Sequence, residues 1–415
     1  MKKINILVVP SDRTGVGYFR STNPHIILEE MYPEEFRVDI DFEPKLNDDE
    51  WVSQYDIIHY HRTLGPYEGM QALLERLDNL GIVTIMDIDD HWAPGPHHPA
   101  YLIIKKNNID KLVRKNLGMA RNITTTTPIF AEEIMKFNKN VHVLPNSIDP
   151  TQKQYITKPE PSERIRIGWL GGSAHIKDLE LLRGVVGKVA SHGYLDKVQF
   201  VLCGFDTRGT MTMIDQQTGT ETQRPITPFE SVWFKYEQIF TDNYSIISPE
   251  YQKHLLKFTK DEFQGVENQP YRRVWTKPMS SYASNYNLFD IALAPLEDNL
   301  FNKVKSPLKV EEAGFHKKAL IAQDFGPYQL DLINYRNFGG SLNDEGNALL
   351  VDTKRNHKDW FKHIEFLIKN PELISVLGEN LYNTVKDKYS VESVAKLRRE
   401  YYLGLLKDAT QPSLV

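Results

Sequence analysis

Short, nearly continuous apolar runs alternate with helical stretches along most of this chain, and that rhythm restricts the fold more than any other feature. KINILVV at residues 3–9 leads through the loop DRTGVGYFR into NPHIILEEM, which reads as a strand, a glycine loop and a helix. FRVDIDF, YDIIHYH, GIVTIMDI, NITTTT and NVHVLP follow, with helical segments between most of them. A strand wetted on one face alternates apolar with polar residues. Runs without that alternation predict parallel strands covered by helices on both sides. The polar, proline-rich segment NSIDPTQKQYITKPEPS at 146–162 then interrupts the pattern. It restarts with RIRIGWL, the loop GGSAHIKD, a helix from about Leu179 and the strand VQFVLCGF. The fold class is therefore α/β, with two doubly wound, Rossmann-like parallel-sheet units in tandem, over 1–150 and 151–390.

Residues 206–285 break the second unit. Their turn-rich polar stretch (DTRGTMTMIDQQTGTETQRP) and aromatic segments (FESVWFKYEQIF, PYRRVW) read as an insertion lying over the domain. Trp233, Tyr236, Tyr271, Arg272 and Arg273 would suit a lid over an acceptor. The sheet resumes at FDIALAPL, KKALIAQD and NALLVD, and three helices, near 357–369, 372–387 and 391–406, close the chain. The last starts at a Ser390 cap, and 391–415 is expected to return to the first unit.

Composition narrows the function. The chain has 415 residues, enough for two or three domains with sizeable cores. A net charge of −5 offers no basic excess to neutralise nucleic-acid phosphates. The single cysteine, Cys203, lies in an apolar run, which fits a reduced thiol in a cytoplasmic protein. The N-terminal apolar run meets Pro10, Asp12 and Arg13 too soon for a signal peptide, and no run approaches the ~20 apolar residues of a membrane span.

The most informative segment is NLFNKVKSPLKVEEAG at 299–314, set between the core strands FDIALAPL and KKALIAQD. Ser306-Pro307 carries the residues of a helix start, serine as cap and proline in the first turn. A helix starting there turns its free N–H groups and positive dipole end toward the sheet edge where α/β proteins bind ligands, a place suited to phosphate. Lys305 would add a charge-assisted contact of ~1.5–3 kcal/mol. Glu312, three residues beyond Lys309, shares its face and could accept ribose hydroxyls. The other reading is a set of solvated helix charges beside a proline turn. Gly171-Gly172-Ser173 between strand and helix either brings backbone N–H groups to the same anion or makes a tight turn.

FNKVKSPLKVEEAG followed by KKALIAQDFGPY resembles the donor-binding segment of the GT-B glycosyltransferases, in particular the retaining group called family 4. ITTTTPIFAEEI with VHVLPNSIDP is similar to the end of that family's first domain, and RIGWLGGSAHIKDLELL to the opening of its second. Family members carry a Glu-x7-Glu motif whose second glutamate binds the donor ribose. Glu312 matches it, whereas the first glutamate would fall at Val304, with Lys305 next door as a substitute contact. The resemblance implies two domains facing across a cleft. It also implies a UDP- or GDP-sugar donor as co-substrate without a bound divalent metal, and a carbohydrate, glycolipid or glycoprotein acceptor. Sugar transfer in glycan or glycoconjugate biosynthesis follows, with a GT-B epimerase or a non-catalytic sugar-binding protein as alternatives.

In the first unit DRTGVGYFR invites a dinucleotide reading, but Arg20 stands where the third glycine belongs. The GT-B resemblance instead implies acceptor-side roles, Gly15 and Gly17 letting the loop face the cleft and Arg20 meeting an anionic acceptor or phosphate. MDIDDHW at 86–92 offers Asp87, Asp89 and Asp90. They could cap the next turn or hold a metal. Asp89 and Asp90 are the candidates for orienting a sugar or acceptor hydroxyl, with His61 nearby. Finally, residues 102–121 form one basic amphipathic helix that either rests on anionic lipid at the inner membrane face or packs its apolar stripe on the sheet.

Overall fold

A computed structural model describes residues 2–214, 218, 220–227, 230–242, 269–337 and 340–410. The chain divides into two compact units, one of residues 1–150, 298–311 and 385–415, the other of 151–297 and 312–384. Residues 298–311 and 385–390, read from the sequence with the second domain, thus make their contacts in the first.

The first unit is built on a six-stranded parallel sheet of β1 (Ile4–Val9), β2 (Phe36–Ile40), β3 (Ile57–His61), β4 (Val83–Ile88), β5 (Asn122–Thr125) and β6 (Val141–Val143), in the order β2-β1-β3-β4-β5-β6. Alternate side chains go to opposite faces. Leu7, Val9, Ile58, Tyr60, Met86 and Ile88 pack with helices Met70–Asn79, Ile109–Met119 and Pro128–Ile134. Val304 is buried in the same cluster. The position where the family motif would have a first glutamate therefore does core work here.

Ile6, Val8, Ile57 and Ile85 face helix Asn23–Met31 and the long helix Val391–Thr410. His59 and Asp87 point to this second face and are fully buried. Arg20 answers Asp87 with two hydrogen bonds, Nε to Oδ2 at 3.0 Å and Nη2 to Oδ1 at 2.7 Å. Its remaining nitrogen donates to the Leu144 carbonyl at 2.7 Å and to Asn146 Oδ1 at 3.2 Å, while Thr124 Oγ1 donates to Asp87 at 2.7 Å. Arg20 is 1% exposed. It holds the sheet together, which corrects its expected contact with an acceptor anion. Nearby, His25 bonds the Tyr402 hydroxyl at 2.7 Å and lies 4.5 Å from the His59 ring.

The second unit repeats the plan with β7 (Ile165–Leu170), β8 (Val198–Phe205), β11 (Tyr271–Trp275), β12 (Ile291–Ala294), β13 (Ala319–Gln323) and β14 (Leu349–Val351). All pair in parallel, in the order β11-β8-β7-β12-β13-β14. Here the expected insertion needs correction. Helix Val232–Thr241 and strand β11 are regular parts of the sheet unit, and Trp233, Tyr236 and Tyr271 belong to its core. Arg273 is buried against Glu237, with both hydrogen bonds at 2.7 Å. These side chains form no acceptor lid. What stands apart is a two-stranded antiparallel hairpin, β9 (Thr210–Ile214) with β10 (Glu221–Pro225). Residues 243–268 lie outside the described residues.

The basic helix expected over 102–121 is broken in two, Tyr101–Lys106 and Ile109–Met119, because Asn108 takes a left-handed conformation (φ 50°). Asparagine tolerates that region better than most residues. The second piece buries Val113 and Leu117 in the core, whereas the first buries nothing.

Burial holds His25 and His59 neutral, with pKa values well below the ordinary 6.5, and the nearby Arg398 charge acts in the same direction. Above pH ~6.5 both are neutral folded or unfolded and add no pH dependence. Below it the unfolded chain binds protons that the folded unit refuses, so stability falls by up to ~1.4 kcal/mol per pH unit for each. Urea unfolding at pH 7.5, 6.5 and 5.5 should show midpoints dropping over the last interval, and His59→Gln should flatten that drop. Removing the Arg20 guanidinium (Arg20→Ala) should cost ~3–5 kcal/mol, because Asp87 is left buried and unpaired.

Candidate functional site

In an open parallel sheet the strand order reverses direction at one place, and ligands bind outside the carboxyl ends of the strands there. In the second unit that place lies between β7 and β12. The loop leaving β7 is Gly171-Gly172-Ser173, with Gly172 and Ser173 exposed. A Cβ on Gly171 would stand 2.4 Å from the Trp169 ring, so the residue must be glycine, while one on Gly172 would meet only open space. The turn is braced from below. The His175 N–H donates to the Tyr236 hydroxyl at 2.9 Å, and His175 Nδ1 pairs with Asp178 Oδ2 at 2.7 Å. Asp178 Oδ1 accepts the Glu297 N–H at 2.8 Å, tying the loop after β7 to the one after β12.

Glu312 lies in helix Leu308–Phe315 and is 4% exposed. Its carboxylate accepts hydrogen bonds from the Tyr282 hydroxyl and from the Tyr286 hydroxyl at 3.2 Å. Burial beside that carboxylate pushes both phenols well above their ordinary range, so they stay protonated donors. His316 stacks on Tyr286, with ring centres 5.0 Å apart, and bonds the Glu312 and Gln154 carbonyls at 2.9 Å each. Nothing in the sequence around 282–286 signals this bracket, although the two tyrosines are spaced to share a face.

Lys305, Ser306 and Lys309 fall in the segment that belongs to the first unit, whereas Glu312 and the glycine turn belong to the second. The helix starts one residue later than the Ser-Pro signature placed it. Its first hydrogen bonds, from the Val310 and Glu311 N–H groups, end on the Pro307 carbonyl at 2.8 and 3.1 Å. Glu311, which the sequence reading passed over, is fully buried, and its charge acts on Arg20.

Within the first unit the ends of β3 and β4 gather His61, Arg62, Asp89 and Asp90. His61 Nε2 and Asp89 Oδ1 are 2.9 Å apart. Arg62 Nη2 lies 3.3 Å from the Asp90 carbonyl and 3.8 Å from Asp89. Arg62 is held at φ 59°, a strained region for an arginine, by its N–H bond to the Asp87 carbonyl and by Asn116 Nδ2 on its own carbonyl. A strained arginine at this edge gives no signal in the sequence. Gly15 and Gly17 lie in the segment that follows β1, but Gly17 is buried against Asp12, whose carbonyl oxygen would be 1.9 Å from a Cβ. Its lack of a side chain closes the loop on itself.

The two neighbouring aspartates titrate in opposite directions. Burial opposes ionisation of Asp89, but the His61 hydrogen bond and the charges of His61, Arg62 and Arg20 outweigh it and hold the carboxyl well below its usual range. Burial and the Asp89 charge raise Asp90, with Lys305 and Arg62 pulling the other way. Such a split is how a pair of like groups takes up different acid–base roles. Among the described residues, no group of three or more histidine, cysteine, aspartate or glutamate side chains is placed to hold a metal ion. Asp87 faces Arg20, while Asp89 faces His61.

No protein-family profile matches the sequence, and no curated protein matches it either. Solved structures do match in shape. Anabaena Alr3699/HepE, crystallised with UDP and glucose, superposes at a TM-score of 0.58 and 10% identity over 97% of this chain and 99% of its own. The catalytic domain of starch synthase IV from Arabidopsis thaliana, bound to ADP and acarbose, gives 0.57 and 11% over 97% and 99%. A UDP-forming trehalose-phosphate synthase from Burkholderia xenovorans gives 0.52 and 12% over 88% and 78%. The fold is GT-B. GT-B architecture accounts for both sheets, each with its own switch point, and likeness at this level of identity is a likeness of fold.

Because the Lys305 charge lowers Asp90, Lys305→Ala should move the Asp90 titration further upward and leave Asp89 low. Carbon-detected NMR of the labelled aspartate carboxyls reads both, and an unmoved Asp90 would contradict the pull of the Lys305 charge on it.

Proposed function

We propose that this protein is a glycosyltransferase that moves a sugar from a nucleoside-diphosphate sugar to an acceptor hydroxyl. The observation that carries this reading is the GT-B likeness across nearly the whole chain to HepE, solved with UDP-glucose. In this reading the second unit takes the donor. The exposed Gly171–Ser173 turn, at the switch point of its sheet, offers backbone N–H groups to the diphosphate. Glu312 accepts ribose hydroxyls. A carboxylate accepts about four hydrogen bonds, so orientation by Tyr282 and Tyr286 is compatible with further hydroxyls. Lys305, Ser306 and Lys309, on the first unit, offer a cation and helix-start N–H groups suited to a departing diphosphate. Fixed donors of that kind act most strongly as charge develops there.

The first unit serves the acceptor. Asp90 takes the proton of the attacking hydroxyl, with His61, Arg62 and Asp89 positioning it. The group ascribed to Asp90 suits this work, since a carboxyl raised toward the working pH is a better base than an ordinary aspartate. Retention at the transferred carbon and a family 4 relationship follow from the sequence resemblance, and a cytoplasmic setting fits the single buried thiol, Cys203. The base is UDP or GDP, and the acceptor is a carbohydrate, a glycolipid or a glycoprotein.

Thermal unfolding with a panel of nucleotide sugars tests the reading directly. A donor at ~100 times its dissociation constant should add ~2.7 kcal/mol of stability. Asp90→Asn should lower turnover ~100-fold or more while leaving that stabilisation intact, and Glu312→Ala should abolish it. If no nucleoside diphosphate or its sugar stabilises the parent, the proposal fails. If a donor binds but only its own stereoisomer forms, the protein is an epimerase instead.

A further inference from the structure

The helix Tyr101–Lys106 reads YLIIKK, and none of its six residues is buried. Leu102 is 62% exposed and Ile103 37%. A short helix with a leucine and two isoleucines normally exists because it buries them, and this one does not. The break at Asn107-Asn108 is the reason, since it separates this turn from the Ile109–Met119 helix that carries Val113 and Leu117 into the core.

The surroundings are cationic. Lys105, Lys106, Lys111, Arg114 and Lys115 are exposed. The one acidic residue between 95 and 115 is Asp110, which is buried and bonded by Lys105 at 2.8 Å. The His98 and Phe301 rings lie 5.2 Å apart, which brings exposed Leu300 and Lys303 of the same unit to the neighbourhood. This concentration of positive charge stands out in a chain whose net charge is −5.

We propose that the surface formed by residues 101–115 of the first unit docks on a lipid bilayer carrying anionic headgroups. The side chains at the tip, Leu102 and Ile103, enter the boundary between headgroups and acyl chains. The lysines and Arg114 lie over the phosphates around them. Aliphatic tips ringed by lysine are the composition that a peripheral helix uses on anionic membranes. A protein partner fits less well, because lysine is depleted from the buried centre of protein interfaces. A second copy fits worse still, since a two-fold contact would set this cationic surface against itself. The inference does not depend on the transferase reading.

Sedimentation of the full chain with sucrose-loaded vesicles tests it. Binding should be at least ~10-fold stronger to phosphatidylcholine vesicles containing roughly a third phosphatidylglycerol than to phosphatidylcholine alone, and ~0.5 M salt should weaken it. Leu102→Ser with Ile103→Ser, and separately Lys106→Glu with Lys111→Glu, should each lose ~10-fold or more of this binding. The first pair should leave the thermal midpoint unchanged, because neither side chain is buried. Equal binding to both vesicle types, or variants that bind like the parent, would overturn the proposal. So would a parent that ignores vesicles, including one that instead self-associates through Leu102 and Ile103.

Discussion

The first unit is organised around one buried ion pair. Arg20 and Asp87 come from segments 67 residues apart, and between them they engage the start of the first helical region, the middle of the sheet and the turn after β6. Desolvating two charges is expensive, and such a pair is tolerated only when its other hydrogen-bonding positions are also filled. Here the Leu144 carbonyl, Asn146 and Thr124 fill them. The result is a rigid polar post inside an apolar sheet. It fixes the carboxyl ends of β3 and β4, and the candidate residues of this unit hang from those ends. Asp87 still lies in the strand and points inward. Asp89 and Asp90 come after the strand has ended and are half-buried at its carboxyl end. Three aspartates within four residues thus end up in separate surroundings.

Much of this was legible in the sequence, for a physical reason. Strands covered on both faces must be largely apolar, and the interior strands β1, β8, β12 and β13 show it, whereas the edge strands β2 (FRVDI) and β6 (VHV) mix in polar residues. β11, YRRVW, was hidden because two arginines break the run. Only the fold reveals that Arg273 is satisfied by Glu237 and lies over the Phe205 ring, 4.0 Å from its centre. Helix Val232–Thr241 was hidden with it, since an aromatic helix beside polar turns looks like a lid when its strand partner is unrecognised. Arg20 was misread for the same reason. A cation after a glycine loop suggests an anion from solution, and nothing local announces a carboxylate on a distant strand. The glycine turn after β7 and Glu312 stood out because strand–loop–helix junctions are local objects. The tyrosines that hold Glu312 did not, being 26 and 30 residues away from it.

The route of the chain between the two units has its own consequence. It crosses from one to the other after 150, returns at 298, leaves again after 311 and comes back for good at 385. The first sheet is finished by residue 143, yet Val304 and the Tyr402 region of its covering layers are made much later. A ribosome that has released the opening third of the polypeptide has therefore produced a sheet with one face partly bare. That surface must wait, through synthesis of the whole second unit, for the helix that shields it. Apolar surface left uncovered during synthesis promotes misassociation, and truncating the chain after the first sheet would leave that sheet without its roof.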